Sequence, residues 1–406
     1  MRIAVVAVAA LLAAVPADAQ RRGDVPCRPR LPAQADSNSA DAYFRLGREL
    51  VGTRPRQAAD AFWWASQIDP ASADALYGRY AALLLVDPER LARYFLWDPR
   101  TRSHPQVMAI DSLYRRALRL DPFLRPQFER DLVLMFMAVL FSGGRDVRAS
   151  LAGMNLEFLL REASPAMRGR LLAADGRLME ALQAYDAALG ESERRNADPP
   201  GLLRRERARL FALAGNDSMA LVELRHALDA AAKEEEGDEL VYFSPETRAS
   251  LEYSLGLVQE RAGDADAARQ SYLRALVADL SYAPAHVRLG ALALAEGDTA
   301  TAARELATAA EVDADDAPTR VAHATVLAAL NRLPEAEAEL VAATRLAPHY
   351  ADPWILLGSV RSWRGEGDAA GALRGFLQRA RRDDPRRATA EAAVAALVTP
   401  AGPPAP

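Results

Sequence analysis

Cysteine and lysine are almost missing from this chain. One cysteine, Cys27, occurs in 406 residues. A lone cysteine excludes an internal disulfide framework, so the fold must rest on its apolar core, with Cys27 either a free thiol or paired with another chain. Lys233 is the only lysine, and Arg supplies the remaining positive charge. The formal charge of −5 gives no reason to expect nucleic acid. Long apolar runs are also scarce. After the first fifteen residues the longest is Leu132–Phe141, half of what a helix needs to cross a hydrocarbon core of about 30 Å.

Catalytic patterns are missing too. There is no G-x-S-x-G elbow, no H-E-x-x-H, no P-loop and no G-x-G-x-x-G after a strand. The five histidines, His104, His226, His286, His323 and His349, include no pair three or four residues apart. Neighbouring carboxylates such as Asp315-Asp316 and Asp383-Asp384 fall where a helix is expected to begin, a position that favours acids without chemistry. The expectation is a non-enzyme with no cofactor and no metal.

What is present begins at the amino terminus. Arg2, the apolar stretch Ile3–Val15 and Ala17-Asp18-Ala19 have the order of a secretory signal, so residues 1–19 are expected to be cleaved. That predicts export, to the periplasm or beyond the cell, with no membrane span once the signal is gone. Cys27 follows Val25-Pro26 rather than a small residue, which argues against lipidation. Residues 20–39, with three prolines, read as a flexible leader, and 399–406 as a disordered tail.

Between these ends, Ala, Leu, Arg and Glu recur at helical spacing, and short Gly, Asp and Pro connections break the pattern. The breaks are periodic. Gly256, Gly290, Ala324 and Gly358 stand 34 residues apart. Ala268, Ala302 and Ala336 keep step, as do Tyr272, Leu306 and Leu340, and Ala275, Ala309 and Ala343. Pro348 closes a unit, and Trp354, Leu357 and Gly358 begin the next as W-x-x-L-G. After Gly358 the segment RGEGD adds two residues, which puts Arg379 where alanine is due. Earlier units show the same scheme: Gly47 with Phe62, Gly78 with Ile110 and Tyr114, Gly169 with Tyr185, and Ala208 with Leu224.

This period and pattern resemble the tetratricopeptide repeat. The resemblance covers most of the chain and is strongest over 246–385. It implies an all-α, right-handed α-solenoid of stacked helical hairpins. The units then run 40–162, 163–245 and 246–385, with a degenerate hairpin at 123–162 and a capping helix at 386–398. Two insertions interrupt them. One is 87–105, with Tyr94, Phe95 and Trp97, and the other is the acidic 233–245, whose Tyr242 and Phe243 are expected to re-enter the core.

By family position, the first helix of each hairpin would turn Ser250, Tyr253 and Leu257, Pro284, Val287 and Ala291, Pro318, Val321 and Thr325, and Asp352, Ile355 and Ser359 toward a concave groove, with Trp363 at its rim. The resemblance implies a protein or peptide partner, and the family's basic carboxylate clamp is missing from these positions. The expected function is thus an exported, non-catalytic interaction scaffold with a largely apolar groove. Aromatics 94–97 with Arg100 and Arg102 leave a second reading open, a binder of an envelope glycan, and the rival for those aromatics is burial against the next repeat.

Overall fold

The computed structural model describes residues 25–96, 98–142, 156–195, 200–236 and 247–398. The expected signal peptide, Trp97, Tyr242, Phe243 and the tail 399–406 lie outside the described residues. Every regular element among those described is a helix, twenty-one in all. They stack as antiparallel hairpins into an all-α solenoid. Four hairpins keep the 34-residue step: Arg248–Arg261 with Ala265–Ala278, Ala283–Ala295 with Thr299–Val312, Ala317–Ala329 with Leu333–Leu346, and Asp352–Arg364 with Ala369–Arg379.

The sequence dictates where these helices start and stop. Asp264 and Asp298 cap second helices by accepting from Ala267 N and Thr301 N at 3.0 and 2.9 Å, satisfying donors that no helical carbonyl can reach. Pro284, Pro318 and Pro353 sit in the first turns of first helices, where a missing N–H costs nothing. The turn inside each hairpin needs one residue with positive φ. Gly263, Gly297, Asn331 and Gly365 supply it at 34-residue intervals, and Asn331 is the only non-glycine with positive φ among the described residues. The two extra residues of RGEGD fall after this turn; Asp368 caps the next helix, and Leu373 rather than Phe376 takes the place against Gly358 that Leu340 holds against Ala324 one unit earlier.

Within a hairpin, a small residue on the first helix receives a large one from the second. A methyl on Gly256 would stand 2.4 Å from the Tyr272 ring, and one on Gly358 would stand 2.6 Å from Leu373. Ala324 and Leu340, each 1% exposed, occupy the corresponding places between them. At the other end, Phe62 fits against two glycines at once, Gly47 of Ala40–Leu50 and Gly78 of Ala73–Leu85. These contacts join residues about sixteen apart, so each hairpin is a local unit, and neighbours contribute the rest of its burial.

One expectation is corrected, and one of two open readings is decided. Residues 25–39 are not a loose leader. Leu31 packs on the Tyr43 and Trp64 cluster. Trp64 Nε1 donates to the Pro26 carbonyl at 3.1 Å, and the Arg28 guanidinium lies 4.7 Å from the Trp64 ring. For the insertion 87–105 the rival of its two readings holds, with Tyr94 and Phe95 packed inward. It folds into helices Pro88–Phe95 and Pro99–Arg102. Leu91 is fully buried, Tyr94 donates to Asp111 Oδ1 at 2.8 Å, and Phe95 meets Phe136. Arg102 lies over the Tyr94 ring at 4.5 Å. An amphipathic helix hides aromatics that a proline count alone would leave exposed.

The first hairpins also return to the last ones. Asn38 Nδ2 donates to the Gln378 carbonyl at 2.8 Å, and Asp36 Oδ2 accepts from Arg382 N at 2.6 Å. The rings of Trp64 and His349 approach to 4.8 Å. Arg116 Nη2 pairs with Asp316 Oδ1 at 3.1 Å. The described chain is therefore clasped along a seam that joins residues between 36 and 116 to residues between 316 and 382.

Two expectations can be measured. Gly256→Ala forces a methyl into the Tyr272 ring and should destabilise the fold by about 1–3 kcal/mol. Gly190→Ala, on a helix with open space around it, should be neutral or stabilising by up to about 1 kcal/mol. Urea midpoints of the two variants should move in opposite directions or differ by at least that gap. The seam should also respond to pH. Burial against Trp64, then the charges of Arg28 and Arg379, hold the His349 pKa below its usual value of 6.5. The unfolded chain then binds the proton more readily, so His349 leaves stability intact above about pH 6.5 and lowers it as pH falls from there to the folded-state pKa. His349→Gln should show a smaller fall in thermal midpoint between pH 7.5 and 5.5 than the parent; an equal fall would mean that the histidine does not report on the seam.

Candidate functional site

The residues assigned to the concave groove divide into two groups. Tyr253 belongs to the core, 5% exposed and wedged between the rings of Tyr272 and Tyr282 at 5.7 and 5.4 Å. Burial raises its hydroxyl pKa to about 12. Its assignment as an exposed anchor is corrected, because the neighbouring repeat brings Tyr282 over it. Leu257, Val287, Val321 and Ile355 are half-buried and help to cement the hairpins. Val321, for example, touches the cluster that joins Ala324 and Leu340 to Leu357 of the following unit.

The second group faces water. Thr325 is exposed and Ser359 half-exposed, and each hydroxyl donates to the carbonyl four residues back, at 2.8 and 3.1 Å. Trp363 is 66% exposed. Ile355, Ser359 and Trp363 lie four apart and so share one face of Asp352–Arg364. The same places on the two preceding first helices hold Val321, Thr325 and Ala329, and Val287, Ala291 and Ala295. Ala291, Ala295, Thr325 and Ala329 are all exposed. The result is a shallow, uncharged strip of small side chains that ends at one tryptophan.

The histidines do not form a common surface. His286 Nδ1 meets Glu305 Oε2 at 2.8 Å, and His323 Nδ1 meets Glu339 Oε1 at 3.4 Å, so each ties together the two helices of its own hairpin. Arg320 also holds Glu339, at 2.6 Å. His349 lies at the seam. Among the described residues no His, Cys, Asp and Glu side chains gather as metal ligands, and Cys27 is an exposed free thiol.

A feature that sequence reading missed lies where the seam crosses the inner faces of Pro200–Leu213 and Arg248–Arg261. A cavity of about 220 Å³ opens there. Arg205, Glu206 and Arg209 line it from one helix, and Thr247, Ser250, Leu251 and Ser254 from the next. The returning Pro105–Leu120 helix and its following turn close it with Arg115, Leu118, Arg119, Pro122 and Phe123. Arg209 is 8% exposed and pairs with Glu206; burial opposes its charge, yet Glu206 and Glu129 raise its pKa well above the usual range. Its Nε–H is buried without a hydrogen-bond acceptor among the described residues. A signal for this site did exist in the sequence. Arg115 and Arg119, and Arg205 and Arg209, are like-charge pairs at i and i+4, an arrangement that a helix disfavours unless something else compensates it.

No family model matches the chain, and no curated protein matches it. Solved structures do. One is YrrB, described as a TPR protein with an unusual peptide-binding site; it is 19% identical, covers 52% of this chain and 98% of its own, and has a TM-score of 0.39. A crystal structure of MamA is 15% identical, covers 44% and 91%, and has a TM-score of 0.36. The APC/C hetero-tetramer Cut9-Hcn1 is 14% identical, covers 89% and 76%, and has a TM-score of 0.39. The repeat geometry of this chain itself, with its 34-residue step and its small-to-large contacts, is that of a tetratricopeptide-type solenoid.

Proposed function

We propose that this chain is a non-catalytic scaffold, exported to the cell envelope, that holds a protein partner against the first helices of its last three repeats. The strip ending at Trp363 carries this reading. Large exposed aromatics are costly to leave in water and are enriched where proteins bind. Beside Trp363, small side chains at the same place in successive repeats let a partner backbone come close. Export is read from Arg2, Ile3–Val15 and Ala17-Asp18-Ala19. The glycan reading is not carried further, since Tyr94 and Phe95 are committed to internal packing.

Immobilised chain incubated with envelope extract of its native host should retain a discrete protein. Trp363→Ala should weaken that capture by about 2 kcal/mol, roughly thirtyfold, with an unchanged thermal midpoint. Tyr253→Ala should instead lower the midpoint, because it opens a cavity worth about 3–5 kcal/mol. Capture that is indifferent to Trp363→Ala would reject the strip. Residues 1–39 fused to alkaline phosphatase should give active phosphatase outside the cytoplasm, and an inactive cytoplasmic fusion would reject export.

A further inference from the structure

We infer that the arginine-lined cavity at the seam is a binding site for an acidic peptide segment, with one carboxylate among the guanidiniums and an adjacent apolar side chain against Phe123. This rests on the scaffold reading and names the chemistry of a partner, at a place separate from the Trp363 strip.

Charge is the first argument. The cavity lining holds four guanidiniums, from Arg115, Arg119, Arg205 and Arg209, against two carboxylates, from Glu206 and Asp279. Both carboxylates are already engaged. Glu206 holds Arg209, and Asp279 Oδ1 accepts from Ser281 N and Oγ at 2.9 and 2.6 Å. Arg115 and Arg119 make no ion pair with a carboxylate among the described residues, and both are exposed on their helix. The volume of about 220 Å³ is large beside the ~10–15 Å³ that one water needs.

Two of the lining hydroxyls bear on the kind of anion. Ser250 Oγ donates to the Thr247 carbonyl and Ser254 Oγ to the Ser250 carbonyl, both at 2.7 Å. Their protons are directed at the backbone, so they offer the cavity lone pairs. A phosphate, which brings at most one or two O–H donors beside its many acceptors, would meet these lone pairs less well. A peptide brings N–H donors for them and a carboxylate for the arginines. Arginine supplies forked donors that match a carboxylate, and the Nε–H of Arg209 has its acceptor still to find. Pro122, Phe123 and Leu251 form an apolar wall beside the guanidiniums, which suits an apolar neighbour of the acidic residue.

A fluorescein-labelled octapeptide of alternating Glu and Leu, capped at both ends, should bind the full-length chain in a polarisation assay, and binding should weaken with added salt. The alternating Gln and Leu peptide should bind at least tenfold more weakly. The double variant Arg115→Ala, Arg119→Ala, on exposed positions that leave folding intact by circular dichroism, should lose at least tenfold. Inorganic pyrophosphate should not displace the peptide at equal concentration. Equal binding of the Gln peptide, or unchanged binding by the double variant, would overturn the proposal. So would preferential binding of pyrophosphate. If the Glu and Leu peptide fails while envelope capture remains sensitive to Trp363→Ala, the cavity assignment falls and the scaffold stands; loss of capture alone has the reverse meaning.

Discussion

The architecture depends on one steric constraint: a residue with almost no side chain must face a large one across each hairpin. With glycine or alanine on the first helix, the two helix axes come close enough for Tyr272, Leu306, Leu340 or Phe62 to be excluded from water entirely. A methyl on Gly256 or Gly358 would already stand inside van der Waals contact of the facing side chain, so a larger residue brought there by a slipped register would clash. The constraint therefore fixes both the distance and the register of each pair, and repetition at 34 residues turns a local contact into a solenoid.

Locality explains how much of this could be read from sequence. Gly256 and Tyr272 are sixteen residues apart, so composition and period alone place them together. The turn at Asn331 shows the same legibility, since asparagine is the residue best suited to replace glycine at positive φ. Contacts between hairpins were harder to read. Tyr253 lies on the expected face of its helix, yet the Tyr282 ring that covers it comes from the next unit. The period gives the face of a residue but not the identity of what its neighbour lays across it.

The seam was not legible at all. Asn38 and Gln378 are separated by 340 residues, and no periodicity relates them. Their meeting depends on the accumulated twist of every hairpin between, including the insertion at 87–105. The same holds for the cavity, whose arginines come from residues 115–119 and 205–209. Only the i and i+4 repulsion within each pair hinted that those two helix faces are held near something negative.

Placement on the seam gives the cavity a property that a groove on a single repeat lacks. Its walls belong to two parts of the chain that are far apart in sequence, residues 115–123 and 205–282, joined where Phe123 packs against the cluster of Leu224, Leu251 and Leu255 and Arg261 lies over its ring. A ligand that contacts both walls gains all of its interactions only when the seam is closed. Its binding energy therefore adds to closure, and closure adds to its affinity by the same amount, because the coupling is reciprocal. The imidazole of His349 lies on the same seam and favours closure in its neutral form.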